Sequence, residues 1–258
     1  MSAIKYEQRD GIGYITLDRP EKLNAINDAM AEELRDALYR LDDDRDALVG
    51  IISGNGRAFC SGADVQQRQI KTREEMERSG GPGARSPSVA LPMYRCTNFK
   101  PIVAAVHGYV LGFGLLFAFL SDVLVASEGA RFQITEVRRG LNGGHFWALL
   151  AHRGLASFAD DIAITGRFFL AEEGAAKGVV QYLAKAGEHV KVAEEVAREI
   201  MKNPPLAVRA LVRERRAKLE AIDVQAFATR TPNLHLTDDF RESALAFVEK
   251  RAPVFRGQ

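Results

Sequence analysis

Hydrophobic and polar residues follow two different periods near the start of this 258-residue chain. Residues 4–6 and 12–17 alternate between apolar and polar positions on either side of a glycine-containing turn, a pattern that predicts a β-hairpin. From Asn27 to about Leu41 the apolar positions recur every three or four residues, which predicts an amphipathic helix with Asn27 as its N-cap. Residues 48–52 then form an apolar run typical of a buried strand. Strand, helix and strand in this order indicate an α/β protein.

A mainly apolar stretch, residues 101–137, contains two β-branched runs separated by glycines. The runs at residues 102–106 and 123–126 predict strands that are buried on both faces. The glycines at residues 112–114 open an apolar segment, where backbone N–H groups can approach a ligand at the positive end of a helix. Glu136 follows as a lone carboxylate, and burial would raise its pKa and make it a candidate acid or base. A surface or helix-capping carboxylate is the alternative interpretation.

The rest of the chain divides into an irregular stretch and a largely helical end. Residues 70–93 are polar, rich in glycine and proline, and predicted to form a loop. Ser157 and Asp160 have the spacing of a capping box, and Gly166 is expected to end the helix that follows. The remaining predictions are a short helix, the last core strand and three C-terminal helices, at residues 172–177, 179–183, 192–201, 206–222 and 238–250.

Composition and charge are those of an ordinary globular protein, with 47% apolar and 27% charged residues. The net charge of +1 gives no reason to expect a nucleic acid or an anionic membrane as partner. Residues 101–121 lack charges over about the length of a membrane span, but His107, three glycines and a strand-like start indicate a buried core segment. The N-terminus has no targeting pattern. Cys60 and Cys96 are predicted to be free thiols in a reducing compartment, the cytoplasm.

Four sequence blocks carry a resemblance to a known family. They are AVHGYVLGFGLLFAFLSDVLVAS at residues 105–127, RAFCSGADV at 57–65, RPEKLNAIN at 19–27 and FVEKRAPVFRG at 247–257. Together they resemble the enoyl-CoA hydratase/isomerase (crotonase) superfamily in order and spacing, over essentially the whole chain. The resemblance implies an α/β spiral of repeated ββα turns over residues 1–190. It also implies a C-terminal helical region, residues 191–258, that packs in a homotrimer or hexamer.

The resemblance also implies roles for individual residues. The backbone N–H groups of Ala63 and Phe113 would form an oxyanion hole for an acyl-CoA thioester, and Glu136 would move the proton. Coenzyme A would be part of the substrate, with no metal and no redox cofactor. Its expected contacts are Lys22, Ala25, Ser61, Gly62, Ala63, Asp64, Val65 and Lys250. The expected acyl-pocket residues are Leu116, His145, Phe146 and Trp147, with the loop at residues 70–93 lining the entrance.

Several of these roles have plainer alternatives. Lys22 also fits a solvated loop lysine, and Asp64 a loop-capping residue. His145 is interpreted first as a structural histidine and second as an additional acid or base, and His107 as structural. Phe146 and Trp147 are expected in the acyl pocket or the core. A basic cluster on the second C-terminal helix is interpreted as a solvated or inter-subunit face rather than a phosphate site; it comprises Arg209, Arg213, Arg215, Arg216 and Lys218.

Two residues depart from the family pattern. Phe113 stands where the family usually has glycine, so the second oxyanion donor depends on whether the backbone there tolerates a Cβ. Leu116 stands where hydratases of the family carry a carboxylate in addition to the one at Glu136. One carboxylate is enough to move a proton along an allylic system, and the pattern resembles Δ3,Δ2-enoyl-CoA isomerases. Isomerisation is therefore the favoured reaction, with hydration, lyase chemistry, thioester hydrolysis and acyl-CoA binding without turnover as alternatives.

Overall fold

The computed structural model describes residues 2–81 and 91–258, with the side chain of Leu91 left aside. Its strands, in chain order, are β1 (Ile4–Arg9), β2 (Ile12–Leu17), β3 (Val49–Gly54), β4 (Ile102–Val106), β5 (Tyr109–Leu111), β6 (Val123–Ser127), β7 (Arg131–Gln133), β8 (Phe169–Leu170) and β9 (Tyr182–Ala184). Its α-helices are α1 (Asp28–Asp43), α2 (Val65–Arg68), α3 (Arg73–Ser79), α4 (Leu91–Arg95), α5 (Phe113–Leu120), α6 (Gly144–Arg153), α7 (Ala156–Thr165), α8 (Ala171–Ala176), α9 (His189–Met201), α10 (Pro205–Ala228) and α11 (Asp238–Glu249).

The strands form a large sheet and a small one. The large sheet has the order β1-β2-β3-β4-β6-β9, in which β1 and β2 form the predicted antiparallel hairpin and all later pairs are parallel. The small sheet has the order β5-β7-β8. The α/β class is therefore confirmed, as are the strands predicted at residues 48–52, 102–106 and 123–126. The last core strand lies slightly later than predicted, at β9.

Both faces of the large sheet are covered, which explains the unbroken apolar run of β4. Ile102, Ala104 and Val106 point into the main core with α1 and α5, whereas Val103 and Ala105 point into a second core with α9. All five residues are buried. Helix α1 begins as predicted, because the Asn27 side chain accepts a hydrogen bond from the Met30 N–H at 2.9 Å.

The prediction of an unbroken loop over residues 70–93 is wrong at its start and its end. Helix α3 forms there because Thr72 and Glu75 make a full capping box, in which each side chain accepts from the other residue's N–H. Helix α4 begins at Leu91. Residues 82–90 of the predicted loop lie outside the described residues.

The predicted capping box at Ser157 is also wrong. Helix α7 starts two residues earlier than a cap at Ser157 requires, with Leu155 at its N-cap, so Ser157 lies inside the first turn. Gly166 does end this helix, with a positive φ of 61°. Sequence spacing alone cannot distinguish a capping serine from one already inside the helix, because packing of the buried Phe158 and Ile162 sets where the helix begins.

Helix α10 is held to the sheet by an acidic residue at the start of β6. Arg215 and Arg216 both donate to the Asp122 carboxylate, at 2.9 and 2.7 Å, and Arg216 is buried. The interpretation of the basic cluster as a solvated face is therefore wrong for these two arginines. Among the described residues, no helix is both long and apolar enough to cross a membrane.

Candidate active site

The first predicted oxyanion donor lies in a loop that is fixed on both sides. The Ile26 N–H donates to the Gly62 carbonyl at 2.8 Å, and the Asp64 N–H donates to the Ile26 carbonyl at 2.9 Å. On the other side, Cys60 exchanges hydrogen bonds with β5. The Ala63 N–H lies between these contacts, and it has no acceptor among the described residues.

The second predicted donor stands at the start of α5. Gly112, the N-cap, has φ 45°, whereas Phe113 is not among the described residues with positive φ. The glycine-like conformation thus falls on Gly112, and Phe113 needs no special backbone angle. The Phe113 N–H also lacks an acceptor among the described residues. Its ring packs beside Phe117, with centroids 6.4 Å apart, and the Arg68 guanidinium lies 5.8 Å from its centroid.

The two donor segments approach each other at Gly62. Gly62 has φ 98°, and a Cβ built on it would lie 3.7 Å from the Phe113 nitrogen and 3.1 Å from the Leu111 carbonyl oxygen. The structure therefore brings both predicted N–H donors to one place, although they are fifty residues apart in sequence.

Glu136 lies between the starts of α5 and α6. Its Oε1 is 3.4 Å from the Cβ position of Gly112, and its Cβ is 3.5 Å from that of Gly143. Its Oε2 is buried and has no hydrogen-bond partner among the described residues. Burial raises the pKa of Glu136 to about 7, against the opposing effects of neighbouring N–H groups, the Thr135 hydroxyl and Arg139. A carboxyl group with this pKa can both accept and donate a proton near neutral pH.

The predicted acyl-pocket residues do not all share one environment. Leu116, on α5, is 6% exposed and offers no proton-transfer group. Phe146 is buried in the main core. Trp147, by contrast, is 41% exposed, and its Nε1–H donates to Asp160 at 2.7 Å. The expectation of a core Trp147 is wrong, because the indole N–H takes its acceptor from the outer face of α7.

The predicted coenzyme A contacts form one surface, apart from Lys250. Residues 22–25 begin at the last residue of a 3-10 helix, Pro20–Lys22. They are joined to the loop at residues 61–65 by the Ser61 N–H, which donates to the Leu23 carbonyl at 3.0 Å. Asp64 caps α2 and accepts from Arg19 at 2.9 Å, so its predicted capping role is observed. Lys250 is exposed at the end of α11.

The sequence reasoning missed two side chains that make long-range contacts in or near the site. Asn24 is fully buried, and its side chain donates to the carbonyls of Asn55 and Ala58 and accepts from the Arg19 N–H. Asp223, on α10, contacts Nδ1 of His145. Asn24 stands inside the RPEKLNAIN block, which was a usable signal. Nothing near Asp223 in the sequence indicates its partner.

Comparison with known proteins identifies the class of enzyme. A sequence model of the enoyl-CoA hydratase/isomerase family matches residues 7–258. The enoyl-CoA hydratase EchA19 of Mycobacterium tuberculosis is 31% identical over 98% of this chain and 96% of its own. The mevalonyl-coenzyme A hydratase sidH of Aspergillus fumigatus is 34% identical over 94% and 90%. A crystal structure of carnitinyl-CoA hydratase from Mycobacterium avium matches with a TM-score of 0.78 at 28% identity, over 100% of both chains.

The chain therefore belongs to the enoyl-CoA hydratase/isomerase family. It is an enzyme of that family, acting on acyl-CoA. The expected fold, a crotonase-type α/β core followed by C-terminal helices, is confirmed.

Proposed function

We propose that this enzyme isomerises 3-enoyl-CoA to 2-enoyl-CoA, with Glu136 as the proton carrier. The observation that carries the proposal is the buried Glu136 carboxylate beside two N–H groups that have no acceptor among the described residues. The apolar Leu116 occupies the position of a second carboxylate. Ionised Glu136 removes a proton from C2 of the substrate, and the thioester oxygen becomes an enolate oxygen. The N–H groups of Ala63 and Phe113 bind that oxygen, a contribution of about 3–4 kcal/mol per donor. Glu136 then returns the proton to C4.

Coenzyme A is bound, in this proposal, by the surface that residues 22–25 and 61–65 form together. Lys22 and Lys250 supply positive charge for its phosphates, and no metal or redox cofactor takes part. Buried Asn24 fixes the first of these loops, because its side chain donates to the carbonyls of Asn55 and Ala58, shortly before the second loop. The cytoplasmic location stays a prediction.

Hydration of 2-enoyl-CoA is the second candidate. The names of several relatives support it: EchA19 is an enoyl-CoA hydratase, and the Escherichia coli relative, 29% identical, is a 2,3-dehydroadipyl-CoA hydratase. Against it stands Leu116, since adding water needs a base for the water and an acid for C2.

The deciding experiment incubates a 3-enoyl-CoA and a 2-enoyl-CoA separately with wild-type protein and Glu136→Gln. Mass-resolved chromatography distinguishes the products. We expect conversion of the 3-enoyl to the 2-enoyl isomer at unchanged mass, lost in the variant. Isomerisation that persists in Glu136→Gln would rule out Glu136 as the carrier. If neither substrate reacts while coenzyme A still binds, the acyl-CoA-binding alternative gains support.

We also propose that the chain forms a homotrimer or a pair of trimers through its C-terminal helices. Large apolar side chains of α10 are exposed in the single chain: Leu206 (78%), Leu211 (68%), Val224 (63%) and Phe227 (51%). Such side chains on one helix favour burial against another copy. Light scattering coupled to size-exclusion chromatography is expected to give three or six chains, and Leu211→Lys to shift the protein towards smaller species. A monomeric wild type would contradict the proposal.

A further inference from the structure

Glu136 stands at the start of a short 3-10 helix, Val137–Arg139, as its N-cap. The N–H groups of Arg139 and Leu141 both donate to the Glu136 carbonyl, each at 2.9 Å, and close the turn. Residues three apart in such a turn lie on the same side of it. The side chains of Glu136 and Arg139 therefore project from one side of the turn.

Helix α11 packs on the same turn through three contacts. The Ser243 hydroxyl donates to the Arg139 carbonyl at 3.1 Å. Gly140 approaches α11 so closely that an added Cβ would lie 3.0 Å from the Cα of Phe240. The Arg139 guanidinium lies over the ring of Phe247, 4.1 Å from its centroid. The C-terminal helix thus holds both the backbone and the side chain of residue 139.

The Arg139 guanidinium acts on Glu136 through its charge rather than through a direct contact. Among the described residues, this guanidinium forms no hydrogen bond and no ion pair, and its partner is the Phe247 ring. Burial lowers the pKa of Arg139, and the nearby charge of Glu136 acts in the opposite direction. Burial likewise raises the pKa of Glu136, and the charge of Arg139 is among the effects that oppose it. The two groups therefore attract each other across a gap.

The other charged side chains on the elements around Glu136 have partners of their own or are exposed. Helix α5 carries no charged residue, and those of α6 beyond His145 lie at its far end. Asp239 of α11 accepts from the backbone N–H groups of residues 256 and 257, and the unpaired charges of α11 are exposed. Among the described residues, the remaining pairs are His145 with Asp223, Asp64 with Arg19, Asp160 with Trp147, Asp161 with Arg167, and Glu242 and Glu249 with Arg251.

We propose that Arg139 is a positioning residue for proton transfer, whose charge stabilises the ionised form of Glu136, and that Phe247 keeps the two groups from forming an ion pair. The inference rests on the proposed role of Glu136 as proton carrier, and it gives α11 a part in the chemistry. A direct ion pair would lower the pKa of Glu136 by about 1–3 and make the carboxylate a weaker base towards C2. Without any cation, less of the carboxyl group would be ionised at neutral pH.

The test follows the carboxyl group itself, in the full-length protein without substrate. Carbon-13 NMR of glutamate-labelled protein records the titration of Glu136, whose signal is identified by its absence from Glu136→Gln. Arg139→Gln should raise the midpoint by about 0.5–1 pH unit, because a nearby positive charge is lost. Arg139→Lys, which keeps the charge, should recover most of the wild-type midpoint.

Arg138→Gln is the matched control for the lost charge. It removes an exposed positive charge from the neighbouring residue, whose side chain runs past Gly166 instead. The Glu136 midpoint should stay at its wild-type value in this variant. An unchanged midpoint in Arg139→Gln would overturn the inference, and so would an equal rise in Arg138→Gln.

Phe247→Leu tests the contribution of α11. Once released from the ring, the guanidinium can reach the carboxylate, so the midpoint should fall by about one pH unit or more. In the Arg139→Gln background the same change should have no effect, because no cation is left to hold. Val248→Ala, at the exposed neighbour on α11, is the control for lost apolar surface. A midpoint that Phe247→Leu leaves unchanged, or shifts equally in both backgrounds, would overturn the role of Phe247.

Initial rates with 3-enoyl-CoA over the same pH range connect the titration to the reaction. The inflection of kcat/KM should move with the NMR midpoint in each variant. Isomerisation that requires Glu136 but has a pH inflection indifferent to Arg139 would overturn this inference alone. Midpoints that move as expected while Glu136→Gln still isomerises would reject the proposed reaction and leave the coupling of Arg139 to Glu136 standing.

Discussion

Single residues decide whether the site can work at all, and Phe113 shows how. Phe113 stands where the family usually has glycine, at the second oxyanion donor. From the sequence, its N–H can serve as a donor only if the backbone there tolerates a Cβ. The structure places the positive φ on Gly112 and lets Phe113 adopt an ordinary helical angle. The ring turns towards Phe117, and within the part of the chain that the structure describes the Phe113 N–H has no acceptor. Phenylalanine can replace glycine at this position and keep the N–H donor, because the positive φ falls on the preceding residue, Gly112.

The raised pKa of Glu136 predicts the pH dependence of isomerisation. The first step needs the ionised carboxylate, so kcat/KM should rise about tenfold per pH unit below pH 7 and level off above it. Initial rates with 3-enoyl-CoA from pH 5.5 to 8.5 would measure this. A profile without an inflection near pH 7 would show that Glu136 does not limit the reaction as a base.

The same carboxyl group should lower the stability of the fold at alkaline pH. Its pKa is about 7 when folded and near 4.5 when unfolded, so the folded state binds the proton more tightly. The free energy of unfolding therefore falls as pH rises from about 4.5 to 7 and stays lower above that range. Glu136→Gln should be more stable than wild type at pH 8, by up to about 3 kcal/mol, and show a much smaller difference at pH 5. Urea titrations at the two pH values check this, with the exposed Glu21→Gln as control.

At the scale of elements, the site depends on two loops that meet at Gly62. The loop at residues 61–65 is joined to Ile26 on one side and lies next to β5 on the other. Capping residues, which are local signals, place α1 and α3. The meeting of this loop with the start of α5 is a long-range contact, and it aligns both donors.

Gly62→Ala should damage activity through this contact. The residue has φ 98°, and an added Cβ would lie 3.1 Å from the Leu111 carbonyl oxygen, so one of the donor segments must shift. We expect kcat/KM to fall by about 5- to 150-fold, which is what a backbone strain of about 1–3 kcal/mol corresponds to. Gly129→Ala is the matched control, because Gly129 has φ 72° but nothing lies within 4 Å of its Cβ position. It should lose some stability and keep its rate; equal rate losses in both variants would refute the argument.

At the scale of the whole molecule, α9 covers one face of the sheet and carries a buried histidine at its start. His189 stacks on His107, with ring centroids 4.5 Å apart, and burial lowers the pKa of His189 to about 4. A second buried contact, from Arg215 and Arg216 to Asp122, attaches α10 to the same sheet. The predicted division at residue 190 stays a prediction.

His189 should make the fold sensitive to acid. The pKa of His189 is lower in the folded state than its usual value of 6.5, so protonation favours the unfolded state. The free energy of unfolding is therefore highest above about pH 6.5, where His189 is neutral in both states. That stability is lost as pH falls from 6.5 towards 4, by up to about 3 kcal/mol. Thermal unfolding of wild type and His189→Gln across this range should show a shallower pH dependence in the variant. Parallel curves would mean that other groups control acid unfolding.

The sequence by itself determined the α/β class, most strands, the family and the lone carboxylate Glu136. These features follow from the spacing of apolar residues, from helix-capping residues and from contiguous motifs, each of which can be recognised within a short stretch of sequence. Only the tertiary structure decided that Arg215 and Arg216 bind Asp122. It also decided that Trp147 lies outside the core and that Asp223 contacts His145. Each of those depends on a partner brought close by the fold, and no local pattern specifies the distance between residues that are far apart in sequence.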